Sequence, residues 1–301
     1  MKKLFILDGS GYVFRAYYGL PELHDKDGHN VNAIFGFFRM LFRLREQKPD
    51  YFVIAWDAPV KTVRKEMDEN YKANRTKMPD EFKRQMGMIK ELVAQLKIPA
   101  EEIPWFEADD IIGTLADSKK LQDSHESTFG IQIVSSDKDL KQLVREGEVT
   151  IYDAMKNLTT TEKNFKEEYG FDPILMIDYL ALVGDSADNI PGVRWIGKKW
   201  AMKLIQDRWD IDSIYKNIEK ISWATQTKLI EWKDEAYRCK TLTALMTVPW
   251  YEEVDIARRT MRLDFTEMKK TLVDGFGFDS LGKVLDTLKK HYEAGEQLSL
   301  F

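Results

Sequence analysis

Short apolar runs that end on an acid recur through the first half of the chain. Lys3 to Leu7 is almost wholly apolar and stops at Asp8 and Gly9, the pattern of a buried strand whose carboxyl end is Asp8. A helix is expected near Tyr12 to Tyr18. From Asn32 to Gln47 the large apolar side chains Phe35, Phe38, Leu41 and Phe42 fall at helical spacing, and Tyr51 to Asp57 is a second apolar run closed by an acid. Ile131 to Asp137 repeats the pattern after a helix containing Asp109 and Asp110, and Val149 to Tyr152 reads as a further strand. Strands separated by helices predict an α/β fold, with a central, mostly parallel, twisted sheet covered by helices on both faces. In such sheets the functional crevice lies outside the carboxyl ends of the strands, where Asp8, Asp57 and Asp137 all fall.

From about Glu162 onward helical patterns dominate, which places a change of domain near Tyr169 and Gly170. The predicted division is an α/β unit over 1–170, a helical unit over 171–290 and a tail over 291–301. Between Pro59 and Pro79 the chain is polar and lacks apolar periodicity, so a projecting, mobile connection is expected there.

Composition narrows the class. Of 301 residues 44% are hydrophobic and 32% charged, the make-up of a folded chain rather than a disordered one. The single cysteine, Cys239, excludes an internal disulfide, and the first apolar run is too short for a signal or a span. These features lead us to expect a cytoplasmic protein with no membrane segment. The net charge of −5 argues mildly against nucleic acid, so the placement of the charges matters more than their sum.

The acids form the most telling pattern. Glu107, Asp109 and Asp110 open a helix, with Glu107 and Asp110 at i,i+3 on one face. Asp137 and Asp139 follow a strand, and their i,i+2 spacing points both carboxylates one way if the extended conformation persists. Asp185 and Asp188 are another i,i+3 pair if helical. With Asp8 and Asp57, nine acids come from five separated segments. Any one of them is explained as a helix cap or a loop residue. Nine sharing a crevice require cations to neutralise them. Hard divalent ions such as Mg²⁺ take oxygen ligands, and a pair of them roughly 3.5–4 Å apart suits in-line hydrolysis of a phosphodiester. Rival chemistries fit less well. Position 10 is Ser10, where an aspartyl-phosphate enzyme would want a second acid. Asp8 to Gly11 lacks the full glycine spacing of a dinucleotide turn, and four His with one Cys make no zinc cluster.

Cationic residues gather in two places. From Lys61 to Lys90 there are nine basic residues against five acids. Within this stretch, Tyr71, Lys72 and Arg75 combine a ring with two cations, suited to a stacked base and its phosphates. The second island runs from Ile190 to Lys203, where Gly192 and Gly197 bracket a turn. There the start of a helix, with Lys198 and Lys199, is fitted to grip a phosphate.

With these residues in view, the chain resembles the 5′ nuclease family, comprising the flap endonucleases and the amino-terminal 5′→3′ exonuclease domain of bacterial DNA polymerase I. The likeness runs over nearly the whole chain, through Ile6 to Gly9, Asn32 to Gly36, Trp56 to Ala58, Tyr71 to Arg75, Glu107 to Asp110, Ser136 to Leu140 and Gly184 to Gly192. The resemblance implies a PIN-like core, a helical arch over about 60–90 and a helix-three-turn-helix DNA-binding domain. It implies two Mg²⁺ ions, for which Mn²⁺ can substitute: Asp8, Asp57, Glu107, Asp109 and Asp110 would serve mainly one, and Asp137, Asp139, Asp185 and Asp188 the second. Lys72 and Arg75 would contact the scissile phosphate region, with Arg64 and Tyr71 as secondary candidates on the DNA. The family often holds K⁺ in its turn, but Trp195 and Trp200 depart from the family pattern, and a bulky side chain at 195 would obstruct that ion.

The expected activity is structure-selective hydrolysis of DNA at 5′ flaps and 5′ ends in replication and repair. A non-catalytic DNA-binding module and a related ribonuclease are the alternatives. The chain ends without a polymerase domain, so a stand-alone nuclease is expected; a monomer is expected as well. Its last residues, Gln297, Leu298, Ser299, Leu300 and Phe301, resemble the peptide by which bacterial repair proteins dock in the sliding clamp.

Overall fold

The computed structural model describes residues 2–117, 129–206, 210–249 and 256–298. Six strands form one sheet: β1 (Lys2–Asp8), β2 (Tyr51–Trp56), β3 (Ala100–Glu102), β4 (Phe129–Val134), β5 (Val149–Asp153) and β6 (Leu158–Thr160), in the order β3-β2-β1-β4-β5-β6. All neighbours are parallel except the final β5–β6 pair. The two short edge strands β3 and β6 carry too little apolar pattern to be seen in the sequence. Chain order reverses between β1 and β4, and this switch point opens the crevice in which a doubly wound sheet binds its ligand.

The period-two alternation of the strands sorts the core into two layers. Phe5 and Leu7 of β1, with Phe52, Ile54 and Trp56 of β2, face a layer built by Val31, Ile34, Phe37, Phe38, Leu41 and Phe42. Leu4 and Ile6, with Val53 and Ala55, face Ile111, Ile112 and Leu115 on the other side. Each fully buried Val, Leu, Ile or Phe among them contributes about 1.5–3 kcal/mol. The helices behind these layers are α1 (Gly9–Gly19), α2 (Asn32–Arg45), α4 (Asp80–Gln95) and α5 (Ala108–Asp117), with the short α3 (Val63–Met67) between β2 and α4.

After β6 the described elements are helical. The first, Glu162–Tyr169, opens with a Thr161–Asn164 capping box and closes on Gly170 at φ +76°, a left-handed stop that glycine adopts without strain. A separate core gathers Phe165, Phe171, Leu180, Ile205, Ile214 and Leu229.

Two expectations need correction. The stretch from Pro59 to Pro79 is not a projecting, mobile connection throughout. Arg64 and Tyr71 are each 3% exposed, because ion pairs and the helical core hold them in. Nor does all of 171–290 belong to the helical core: Met261, Met268, Leu272, Phe278, Leu281, Leu285 and Leu288 pack with the first layer of the sheet domain. The last helix, Asp279–Leu298, supplies an apolar stripe that covers α2, and Phe278 meets Phe35 edge-on at 5.3 Å. Arg45, 3% exposed, donates to the Tyr292 hydroxyl and to the Pro49 carbonyl (3.0 Å), which pins the end of this helix. Gln297 and Leu298 lie in its last turn. Residues 299–301 of the clamp-like tail, and the side chains from 294 on, lie outside the described residues.

Candidate active site

Asp8 ends β1 and starts α1 at once, since its carboxylate caps the helix by accepting the Gly11 N–H at 2.8 Å. Gly11 has to be small here, as a β-carbon would sit 2.2 Å from the Asp8 Oδ2. Across the switch point the buried Ser135 hydroxyl donates to Asp8 (2.9 Å) and accepts the Asp137 N–H (3.0 Å), which ties the exits of β1 and β4 together. On the other side Asp57 accepts the Ala108 N–H (2.9 Å) at the start of α5, and its own N–H donates to the Ser10 hydroxyl (2.9 Å). The sequence marks these serines only by position, Ser10 two residues after Asp8 and Ser135 two before Asp137.

The helix turn separates Asp109 from Asp110. Asp109 lies in the field of Asp137, Asp8 and Asp57; burial first, and those charges next, push its carboxyl well above the usual range. Asp110 is 1% exposed and turned away. It takes two hydrogen bonds of 2.7 Å from the Arg64 guanidinium and accepts the Met246 N–H (2.8 Å) and the Glu107 N–H (3.1 Å). Arg64 also donates to the carbonyls of Leu242 (3.0 Å) and Ala244 (2.7 Å). This corrects two expectations: Asp110 is spent as a counter-ion rather than offered to a metal, and Arg64 is an internal tie rather than a DNA contact.

Glu107 stands where the acids meet the cations, accepting Lys72 Nζ (2.9 Å) and the Tyr71 hydroxyl (2.9 Å) on one oxygen. Asp188 takes Arg75 at 2.6 Å and the Tyr71 hydroxyl at 3.1 Å, with Lys72 Nζ at 3.6 Å. Burial alone would raise the Asp188 carboxyl, but Lys72 and Arg75 overcome it and hold the group below its ordinary value. Tyr71 is therefore not a free stacking ring; its side chain belongs to the helical core and its hydroxyl bridges two acids.

The last three acids converge by a route the sequence did not predict. Asp139 begins a 3-10 turn rather than continuing the strand, with its N–H on the Asp137 carboxylate (2.9 Å). Asp185 and Asp188 lie in a turn closed by an Asp185–Ile190 bridge, not in a helix. Gly184 (φ +80°) and Gly192 (φ +68°) clasp that turn backbone to backbone, and a β-carbon on Gly192 would lie 2.4 Å from the Gly184 nitrogen. Gly192 is thus a packing residue, not a phosphate contact. Gly197 has open space around it, with Lys198 and Lys199 exposed at the helix start as expected. The outcome is that Asp139, Asp185 and Asp188 each offer an oxygen within 4.8 Å of the others. Lys138 balances Asp185 at 3.0 Å.

This donor set fits a hard cation. Asp139 Oδ1 is buried without a hydrogen-bond partner, and burial together with Asp137, Asp185 and Asp188 pushes the Asp139 carboxyl well above its usual range. Asp8 is pushed up to about 6, by burial first and by Asp57 and Asp137 after it. Carboxylates crowded to this degree are stable as anions only with a cation among them.

An acid crevice at the switch point of a parallel sheet, with lysine and arginine at its mouth, defines the class as an α/β fold whose carboxylates could hold a divalent metal. Residues 3–170 match the family described as the 5′-3′ exonuclease N-terminal resolvase-like domain, and residues 171–270 match the 5′-3′ exonuclease C-terminal SAM fold. The chain belongs to the 5′-3′ exonuclease family and is a nuclease. It is 36% identical over 302 residues to a 5′-3′ exonuclease of Aquifex aeolicus, covering 100% of both chains. It is 37% identical over 252 residues to DNA polymerase I of Bacillus subtilis, matching 82% of this chain but 28% of that polymerase. Among solved structures it superimposes on the T5 D15 protein co-crystallized with metal ions (TM-score 0.65, 19% identity, 96% of this chain and 98% of that one). It also superimposes on the catalytic core of Rad2 in complex with DNA substrate (TM-score 0.60, 17% identity, 95% and 93%). Likeness at these identities establishes the shared fold.

Proposed function

We propose that this chain hydrolyses DNA phosphodiesters at 5′ flaps and 5′ ends, as in primer and flap removal during replication and repair. The observation that carries the reading is the convergence of Asp139, Asp185 and Asp188 beside the unpartnered Asp139 oxygen, next to the Asp8, Asp57, Glu107 and Asp109 group. In this reading Asp8, Asp57, Glu107 and Asp109 would hold mainly one Mg²⁺, and Asp137, Asp139, Asp185 and Asp188 the second, with Mn²⁺ able to replace either. Divalent ions bound there supply charge stabilisation to the attacking and leaving oxygens of an in-line displacement.

The chain's own residues bind and orient the strand. Lys72 reaches an acid from each group, so a phosphate lying between the groups meets its ammonium, and Arg75 stands beside it on Asp188. Residues of the 60–90 segment form the base of an arch for the 5′ strand, and the helical part that follows residue 170 holds duplex through Lys198 and Lys199. A bacterial cytoplasmic setting and a monomer fit this role, and no helix among the described residues is long and apolar enough to cross a membrane. The Gln297 to Phe301 tail docks in the sliding clamp; a pull-down that is unchanged by deletion of those five residues would remove that part.

The deciding experiment is cleavage of an end-labelled 5′-flap DNA in Mg²⁺, with Asp137→Asn as control and a matched RNA flap beside it. Cleavage near the branch by the parent alone supports the reading. Faster cleavage of the RNA would make the chain a ribonuclease, and binding without cleavage by either protein would leave a non-catalytic module.

A further inference from the structure

Residues 191–206 contain Arg194, Lys198, Lys199 and Lys203 and not one acid, in a chain whose net charge is −5. Two indoles stand in solvent among these cations: Trp195 is 69% exposed and Trp200 48%. Each carries a cation over its ring. The Arg194 guanidinium is 5.0 Å from the Trp195 centroid, and Lys203 Nζ is 5.6 Å from that of Trp200.

Trp195 is also held in an unfavourable backbone conformation, at φ +70°, where a side chain crowds its own carbonyl and glycine would not. Its neighbours enforce this. Val193 and Ile196 are buried at 2% and 4%, and the Ile196 N–H bonds the Val193 carbonyl at 3.0 Å, so the turn is anchored beneath while Trp195 points outward. Strain and an exposed indole both work against folding, and packing among the described residues accounts for neither. A solvated basic face explains the lysines but not the tryptophans.

We propose that Trp195 and Trp200 form a stacking platform for unpaired bases of single-stranded DNA, with Arg194 and Lys203, the cations over their rings, on its phosphates. The assignment rests on the nuclease reading above and adds a substrate element to it. Every base offers a π-face and every linkage an anion, so alternating rings and cations match a single strand without regard to sequence. Position agrees: Lys198 lines a cavity of about 560 Å³ that it shares with Lys138, Gly184 and Ser186, which carries the platform to the edge of the acid crevice. A strand with unpaired bases next to the cleaved junction would lie across it.

The test uses the full chain in EDTA, which isolates binding from cleavage. Two duplexes of equal length are compared, one nicked and one with a short gap carrying 2-aminopurine. The double variant Trp195→Gly with Trp200→Ala is expected to bind the gapped DNA about tenfold more weakly, the equivalent of about one stacked base. It should lose the 2-aminopurine quenching and keep its affinity for the nicked DNA. Trp195→Gly alone should melt no lower than the parent, because glycine takes φ +70° freely. Trp195→Phe should retain most of the quenching. Unchanged gapped affinity, or equal loss on both duplexes, would overturn the platform. So would displacement of the gapped DNA by a poly-glutamate peptide at lower concentration than by oligo-dT, which would point to an acidic protein partner. Mg²⁺-dependent flap cleavage in the same preparations reports on the nuclease reading separately.

Discussion

Arg64 holds Asp110 with two hydrogen bonds of 2.7 Å, one from each terminal nitrogen of the guanidinium, both side chains buried to within 3% of full exclusion from solvent. Breaking such a pair from one side leaves a buried charge unmatched, at a cost of about 3–5 kcal/mol. Asp110→Ala should therefore lower the melting temperature by on the order of 10 °C. Asp109→Asn, one residue away, removes a group crowded by other acids and should raise the melting temperature of the metal-free protein while it abolishes cleavage. Calorimetry in EDTA with a flap assay beside it checks both; matching phenotypes for the two neighbours would contradict the division of labour described here.

The crowded acids give the metal-free protein a distinctive pH response. The Asp8 carboxyl, ordinarily near 3.8, is raised to about 6, so the folded chain keeps a proton that the unfolded chain has released between those values. Stability must then fall as pH rises through that window, with the whole penalty present above it. Asp188, held low by Lys72 and Arg75 against the effect of burial, acts in the opposite sense and gives its stabilisation at all pH values above the ordinary carboxylate range. Melting curves in EDTA between about pH 4 and pH 7 should show the decline, with Mg²⁺ flattening it and Asp8→Asn reducing it.

Lys72 sits at φ +54° with its N–H on the Asp188 carbonyl (2.9 Å), so its ammonium is aimed by a fixed backbone. Lys72→Ala should lower kcat by about 10²–10³, the scale for losing one pre-aimed donor to developing charge, with little change in duplex affinity. Single-turnover cleavage and equilibrium binding separate the two effects; equal losses would assign Lys72 to binding only.

Gly192 and Gly197 bracket one turn but should respond differently. Gly192→Ala drives a β-carbon into the backbone of Gly184 at a positive φ and should collapse the turn bearing Asp185 and Asp188, with loss of melting temperature and of metal binding together. Gly197→Ala meets nothing within 4 Å and should keep both properties. Thermal melts and Mg²⁺ titration of the two variants provide the check.

What the sequence determined by itself is whatever is encoded in near neighbours. Short continuous apolar runs gave the central strands, helical spacing gave α2, and acids at run ends gave Asp8, Asp57 and Asp137 at the mouth of the sheet. These signals are local because the strand and helix periods are properties of the backbone. Tertiary structure alone decided the rest. It made Asp109 a member of the acid group and Asp110 the partner of an arginine 46 residues away, and it tied that arginine to Leu242, 178 residues away. The same long reach turned Tyr71 into a bridge between Glu107 and Asp188, made Gly192 a clasp, and returned Met261 to Leu288 to the first core. The direction of a buried charge is fixed by whichever opposite charge the fold brings to it, since neither can be left without a partner away from water.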